Sequence, residues 1–352
     1  MIRVGLAGIG FMGWIHWLAY QRTPGIEVAA VATRDPRKQA GDWTGIHGNF
    51  GPPGEHVDLS QIRVYSDWRE LVSDPSLDLI DICLPPNQHS EAVKAAASGG
   101  KHVFCEKPLA LTAVQCDELV AHVKRCDRQL LVGHVLPFFA EYQFAWKTVC
   151  QGQYGAPRGG HFRRVIARPD WLPDFFNPQT VGGPLIDLHV HDAHFIRLLF
   201  GMPRGVFSRG WCEGETAAFA TTLFDFAQSA VSATMGVIDQ PGRPFTHGFE
   251  LLLNRGTMQF EYAAITTGDE SMPFKLFDQT GQVIRLESSE TGPLAAFEAE
   301  IAEVRDAVMR GTPSSLLSGE LARDAIVMCE AQQRSVTRGE YVPLPDTDES
   351  GC

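Results

Sequence analysis

The chain has 352 residues, of which 44% are hydrophobic and 20% charged, and a formal net charge of -12. That length exceeds the single core typical of roughly 100 to 200 residues, so two domains are expected, and the composition excludes a disordered chain or a coiled coil. The acidic balance and the lack of any run of Lys and Arg exclude a nucleic-acid binder, because that affinity needs clustered cations to displace counterions.

From Ile2 to about Val135, short apolar runs alternate with helical patterns. The strand candidates are IRVGLAG, IEVAAVA, IRVY, LDLIDIC, HVFCE and QLLVGHV, separated by helix candidates such as MGWIHWLAYQ, DWRELV, SEAVKAAA and TAVQCDELVAHVKRC. This alternation predicts an α/β domain over 1–136, a Rossmann-type doubly wound parallel sheet. Residues 41–60, GDWTGIHGNFGPPGEHVDLS, break the rhythm and read as an inserted surface loop. After Pro137 the texture changes. A helix (EYQFAWKTVCQG) and a strand (GGHFRRVIAR) lead to GGPLIDLHVHDAHFIRLLFG, and then to hairpin-like pairs. FATTLFDF and AVSATMGVI flank Ala-Gln-Ser, GFELLLN and TMQFEY flank Arg-Gly, and FKLFD and QVIRLE flank Gln-Thr-Gly. They predict an α+β domain over 137–352 with a large, mostly antiparallel sheet, closed by two helices that each end in Gly. FATTLFDF and GFELLLN put apolar residues on both faces, so one face is expected to pack on helices and the other on a second copy, giving a homodimer or homotetramer.

The eight cysteines are scattered without a CxxC pair, which suggests neither a zinc ribbon nor a disulfide framework. Met1 leads straight into a strand, and no apolar run approaches the roughly 18 residues of a membrane span. A cytoplasmic protein without a membrane or nucleic-acid partner is expected.

Gly8-Ile9-Gly10-Phe11-Met12-Gly13 stands between the first strand and the first helix. Glycines suit that place because the turn is tight, the backbone must approach a pyrophosphate, and the helix must pack closely on the strand. The second strand ends in Thr33-Arg34 where an acidic residue would bind a free ribose 2'-hydroxyl. A hydroxyl and a guanidinium suit a 2'-phosphate, so NADP is favoured over NAD. Asp35 follows, and a different loop path would bring it to the ribose instead.

In LIDLHVHDAH, the eight residues from Asp187 to His194 include three histidines and two aspartates. At about 100° per residue, Asp187, His191, His194 and Leu198 share one helical face, and His189 points nearly the opposite way. A zinc site from Asp187, His191 and His194 is disfavoured, since three ligands on one helix converge poorly on a tetrahedral ion. No metal is assigned.

GIGFMG, LPPNQH after the fourth strand, GGKHVFCEKPLA and GGPLIDLHVHDAHFI, in this order, resemble the Gfo/Idh/MocA family of sugar and inositol dehydrogenases over the whole chain. The resemblance implies a site beside the nicotinamide formed by Lys107 of EKP and by Asp187 and His191 of GG-x3-D-x3-H. It also implies that Leu84, Pro85, Asn87, His89 and Glu106 lie along the cofactor. Two positions depart from the family's habit: Pro137-Phe138 stands where Arg often precedes the Phe, and His194 where Asp is often found. His134 and Trp171, in RPDWLP, are candidates for the pocket wall. The implied reaction is hydride transfer between NAD(P) and a secondary carbinol of a sugar, polyol or inositol. His191 would take the hydroxyl proton, Lys107 would stabilise the alkoxide, and Asp187 would hold the substrate or orient the imidazole. Two other readings stay open: a glycoside hydrolase that uses bound NAD transiently, and a nucleotide-sensing regulator without catalysis, which has no need of Lys107, Asp187 and His191 together.

Overall fold

The computed structural model describes all residues except 49, 170, 171, 173, 266, 267, 287–291 and 346–352. The first part of the chain runs β1 (Ile2–Ala7), α1 (Phe11–Arg22), β2 (Ile26–Ala32), α2 (Pro36–Gln39), β3 (Arg63–Tyr65), α3 (Trp68–Val72), β4 (Leu79–Ile82), α4 (Pro86–Ser98), β5 (His102–Glu106), α5 (Ala113–Arg125) and β6 (Leu130–Gly133). The strands form one parallel sheet of order β3-β2-β1-β4-β5-β6. The order reverses beside β1, and the space beyond the carboxyl ends of β1 and β4 is where such sheets collect ligands. Val4, Leu6, Leu79, Ile80 and Ile82 are fully buried, as expected of central strands covered on both faces.

Among its described residues the Gly- and Pro-rich segment after α2 forms no helix or named strand, as expected, but it is more than a surface insertion. Trp43 and Ile46 are buried, Trp43 packs edge-on against Trp14 and Trp17, and Trp14 Nε1 donates to the Pro52 carbonyl at 2.9 Å. The physical reason lies in α1, which is apolar nearly all round and therefore needs cover on its outer side.

The rest of the chain runs α6 (Ala140–Cys150), β7 (Pro157–Ala167), a π-helical turn (Leu185–His189), α7 (Val190–Phe200), β8 (Gly205–Glu213), β9 (Thr216–Asp225), β10 (Ala230–Ile238), β11 (Phe245–Leu253), β12 (Gly256–Ile265), β13 (Gly268–Asp278), β14 (Val283–Arg285), α8 (Leu294–Arg310), α9 (Gly319–Arg338) and β15 (Val342–Pro343). The three predicted hairpins are β9/β10, β11/β12 and β13/β14, all antiparallel. The sheet has nine strands in the order β14-β13-β12-β11-β7-β10-β9-β8-β15, and its β7/β10 pair is parallel. Along β7, buried Phe162 and Arg164 alternate with the outward-facing His161 and Arg163, which is the period of a strand with one covered face.

Contacts divide the chain into two compact units. The first comprises Met1–Ala110, Val114–Phe139 and Glu290–Ala322, so that α8 packs with α1; the second comprises Leu111–Ala113, Ala140–Ser289 and Arg323–Cys352. Among the described residues, no helix is long and apolar enough to cross a membrane. Cys83, Cys105, Cys116, Cys126, Cys212 and Cys329 carry free thiols, whereas Cys150 is disulfide-bonded.

Candidate functional site

In the first unit the three glycines of GIGFMG have three distinct surroundings. Gly8 adopts φ 101°, and a Cβ there would lie 2.5 Å from the Cys83 carbonyl oxygen. A Cβ on Gly13 would lie 2.1 Å from the Gly8 carbonyl oxygen, so helix and strand could not approach as they do. Gly10 has no atom within 4 Å of the place a Cβ would take. It is exposed, and it caps α1 without any side-chain hydrogen bond, leaving the first N–H groups of the helix for an outside acceptor. Phe11 and Met12 are half-buried beside it. Lys38 Nζ donates to the Ile9 carbonyl at 2.6 Å and so ties α2 to this turn.

At the end of β2, Arg34 is exposed and Thr33 half-buried. Asp35 is committed to its own helix: its carboxylate caps α2 by accepting from the Arg37 N–H at 2.9 Å. After β4, Pro85 and Asn87 are exposed and Leu84 is half-buried. His89 is fully buried, with ring nitrogens 2.7 Å from the Pro108 carbonyl oxygen and 2.8 Å from that of Leu84. It therefore clamps the loop after β4 to the loop after β5, and burial lowers its pKa so that the ring is neutral. Glu106 is buried and accepts the Lys107 backbone N–H at 3.0 Å, while Lys107 itself is half-buried. His134, just past β6, is buried.

In the second unit, Gly182 and Gly183 both adopt positive φ, 88° and 78°, to turn the chain into the helical segment. Asp187 sits in the π turn and not in the α-helix that the spacing predicts; such turns are frequent at functional sites. From Pro184 to Ile196 every residue is buried except Asp187 and His191. The partly exposed strip is thus narrower than a helical reading gives, since His194, expected on the same face, is fully buried. His189 is fully buried as well, with Nδ1 3.6 Å from Asp192 Oδ2. Trp171 lies outside the described residues.

Two side chains that the spacing did not single out support this segment. Asp192 accepts from Arg164 Nε at 2.7 Å and from Arg164 Nη2 at 3.0 Å. Burial pushes the Asp192 carboxyl up, but Arg164 and His189 more than reverse this and hold its pKa at about 2. Next to them Tyr142 is hydrogen-bonded to His247 Nδ1 at 2.8 Å, and burial, aided by Arg164, pushes His247 down to about 3. Arg164 shares parity with Phe162 along β7, and that is the signal that would have placed it inside. Among the described residues, the three metal-capable side chains whose donor atoms gather within 4.8 Å are His16, Asp81 and Cys83 of the first unit.

Residues 2–134 match the family model described as an oxidoreductase family with an NAD-binding Rossmann fold, and residues 142–259 match the GFO/IDH/MocA C-terminal domain. The chain is 28% identical over 202 residues to a myo-inositol 2-dehydrogenase of Thermotoga maritima, covering 57% of this chain and 55% of that one. It is 34% identical over 160 residues to an inositol 2-dehydrogenase/D-chiro-inositol 3-dehydrogenase of Lactiplantibacillus plantarum, covering 44% and 41%. The chain thus spans about half the length of the curated relatives it matches. Its fold is similar to that of a levoglucosan dehydrogenase solved with NADH and levoglucosan, with a TM-score of 0.79 and 20% identity over 98% of this chain and 100% of that one. With the nucleotide-binding and C-terminal models of one family matched in order over more than half of its length, the chain belongs to the Gfo/Idh/MocA oxidoreductases.

Proposed function

We propose that the chain is an NAD(P)-dependent dehydrogenase or reductase acting on a secondary carbinol of a polyhydroxylated ring or chain, with 1–136 as the cofactor domain and 137–352 as the substrate domain, save that 290–322 belongs to the first unit. The observation that carries this reading is the burial pattern from Pro184 to Ile196, where only Asp187 and His191 reach the surface of a segment otherwise given over to packing. A titratable pair kept accessible at the price of burying two other histidines beside it is arranged for chemistry and not for the core.

The residues of the first unit suit a dinucleotide. The open side of Gly10 and the uncapped start of α1 fit a pyrophosphate. Pro85 and Asn87 offer exposed surface after β4, and Leu84, His89 and Glu106 shape the loops around them. Arg34 is available to a 2'-phosphate while Asp35 is used as a cap, which supports NADP over NAD. A nicotinamide held there would supply the acceptor for the hydride of the carbinol carbon. His191 takes the hydroxyl proton on a ring nitrogen, Lys107 stabilises the developing alkoxide through its ammonium group, and Asp187 holds a substrate hydroxyl or orients the imidazole.

The relatives named for inositols and levoglucosan point to a cyclic polyol or anhydrosugar. Trp211, Leu223 and Leu252 are exposed on β8, β9 and β11, an apolar face suited to a second copy of the chain, as a homodimer or homotetramer. The free thiols support a cytoplasmic setting, and the disulfide at Cys150, which the scattered cysteines did not suggest, counts against it. The test is a panel of inositols, aldoses and anhydrosugars scored by the absorbance of reduced cofactor. Reduction with at least one member is expected, and none with any member, under conditions where calorimetry shows cofactor bound, refutes the reading.

A further inference from the structure

The first unit holds a set of ionisable side chains of which the cofactor and substrate assignments use Glu106 alone. His16, on α1, is fully buried, with its ring stacked on Phe104 of β5 at a centroid distance of 5.2 Å. Its Nδ1 lies 2.8 Å from Asp81 Oδ2 on β4, and its Nε2 lies 3.1 Å from Glu106 Oε1 at the end of β5. Both ring nitrogens face carboxylate oxygens, and only an imidazolium, which donates from both, satisfies the two at once. Tyr20 donates to the same Asp81 oxygen at 3.0 Å, and the Cys83 thiol donates to Asp81 Oδ1 at 3.5 Å. Glu300 of α8 faces the group as a buried carboxyl with no hydrogen-bond partner among the described residues. Burial opposes a charge on His16, but Asp81 more than reverses this and its pKa is raised well above the ordinary value; burial raises that of Glu300 well above the usual carboxyl range.

His16 and Asp81 are hydrogen-bonded to each other, so a metal ion with ligands at about 2.0 to 2.3 Å would have to displace that bond, and the cluster is not read as a metal site. Glu106 instead divides its two oxygens. Oε1 meets His16, and Oε2 accepts the Lys107 backbone N–H at 3.0 Å. The residue paired with Glu106 on β6 is Gly133, where a Cβ would lie 2.9 Å from Glu106 Oε1. The sequence thus clears the space Glu106 needs in order to turn toward His16.

We propose that His16 is a positioning residue for Lys107, acting through Glu106: the imidazolium holds one carboxylate oxygen, and the other fixes the peptide from which Lys107 projects. A charge-assisted bond in a dry interior is stronger than a neutral one and directional, so the chain α1 to β5 to Lys107 sets where the ammonium group starts. Only the part Lys107 plays in turnover rests on the dehydrogenase reading; the hydrogen-bond chain does not.

His16→Phe keeps the ring stack and removes both nitrogens. The measurement is backbone amide hydrogen exchange at Lys107, followed by NMR in the full chain with neither cofactor nor substrate added. Exchange at Lys107 is expected to quicken by about tenfold or more. Gly133→Ala crowds Glu106 Oε1 while leaving His16 in place, and it should have the same effect, deciding the matter if His16→Phe does not fold. Tyr20→Phe loses only its bond to Asp81, and should lower the unfolding midpoint while leaving Lys107 exchange within about twofold of the parent. Unchanged exchange at Lys107 in folded His16→Phe or Gly133→Ala overturns the proposal, as does an equal rise in Tyr20→Phe. In turnover the loss is expected in kcat, and a loss confined to KM contradicts the assignment. A parent protein without turnover refutes the dehydrogenase reading and leaves the exchange result to be judged by itself.

Discussion

Arg164 on β7 and Asp192 on α7 form a two-pronged ion pair with 5% and 1% of their surfaces exposed. The pair pins the first turn of α7 to the sheet directly after His191. Removing one partner leaves a buried charge uncompensated, so Asp192→Ala should cost about 3 to 5 kcal/mol of stability, read from denaturant midpoints. The pH dependence follows from the depressed pKa. A carboxyl held at about 2 when folded contributes stability that is fully present above its ordinary value near 4 and is lost as the pH falls toward 2. The gap between parent and Asp192→Ala should therefore narrow between about pH 4 and pH 2. A gap that stays constant across that range contradicts the assignment.

Arg34 stands exposed where Asp35 is spent on capping α2. A charge-assisted contact to phosphate contributes about 1.5 to 3 kcal/mol, so Arg34→Leu should weaken NADP roughly tenfold to a hundredfold and NAD by much less. Calorimetry with both cofactors checks this. Equal weakening of the two would remove Arg34 from the ribose site.

The histidines of the helical segment should separate cleanly. His191→Asn should reduce turnover by about 10² to 10⁴ and abolish the ionisation that the free base gives to the rate profile. His189 is buried beside Asp192, so His189→Asn should lower stability by on the order of 1 kcal/mol and keep the profile. Rate measurements on both variants across pH decide it, and a profile that follows His189 contradicts the assignment of the base.

Lys107→Met should leave cofactor affinity nearly intact and cut kcat severely, because the charge matters most as the alkoxide forms. Near-normal kcat in this variant takes Lys107 out of the mechanism.

Much of the architecture was legible in local pattern. GIGFMG between a strand and a helix marks the first crossover, and the short turns Ala-Gln-Ser and Arg-Gly mark hairpins, because turn chemistry is local. The π turn at Asp187 was not legible, since one extra residue in a turn leaves the spacing of Leu185, Leu188 and Phe195 compatible with a plain helix. The parallel pairing of β7 with β10 depends on strands far apart in sequence. His16 was not legible, because a lone histidine in MGWIHWLAYQ looks like an incidental core residue. What could have flagged it is the coincidence of three titratable residues in mostly apolar elements of one crossover fold, His16 in α1 and Asp81 and Glu106 in the strands β4 and β5.

Hydride transfer itself can be observed without knowing the physiological direction. The protein is incubated with NAD or NADP and with inositols, aldoses and anhydrosugars deuterated at their carbinol carbons, and the cofactor is then analysed by mass spectrometry for deuterium on the nicotinamide ring. The account predicts deuterated reduced cofactor with at least one of these compounds, and its loss in His191→Asn. A cofactor that binds, stays oxidised and acquires no deuterium from any of them would contradict the dehydrogenase assignment and point to a sensor of the nucleotide.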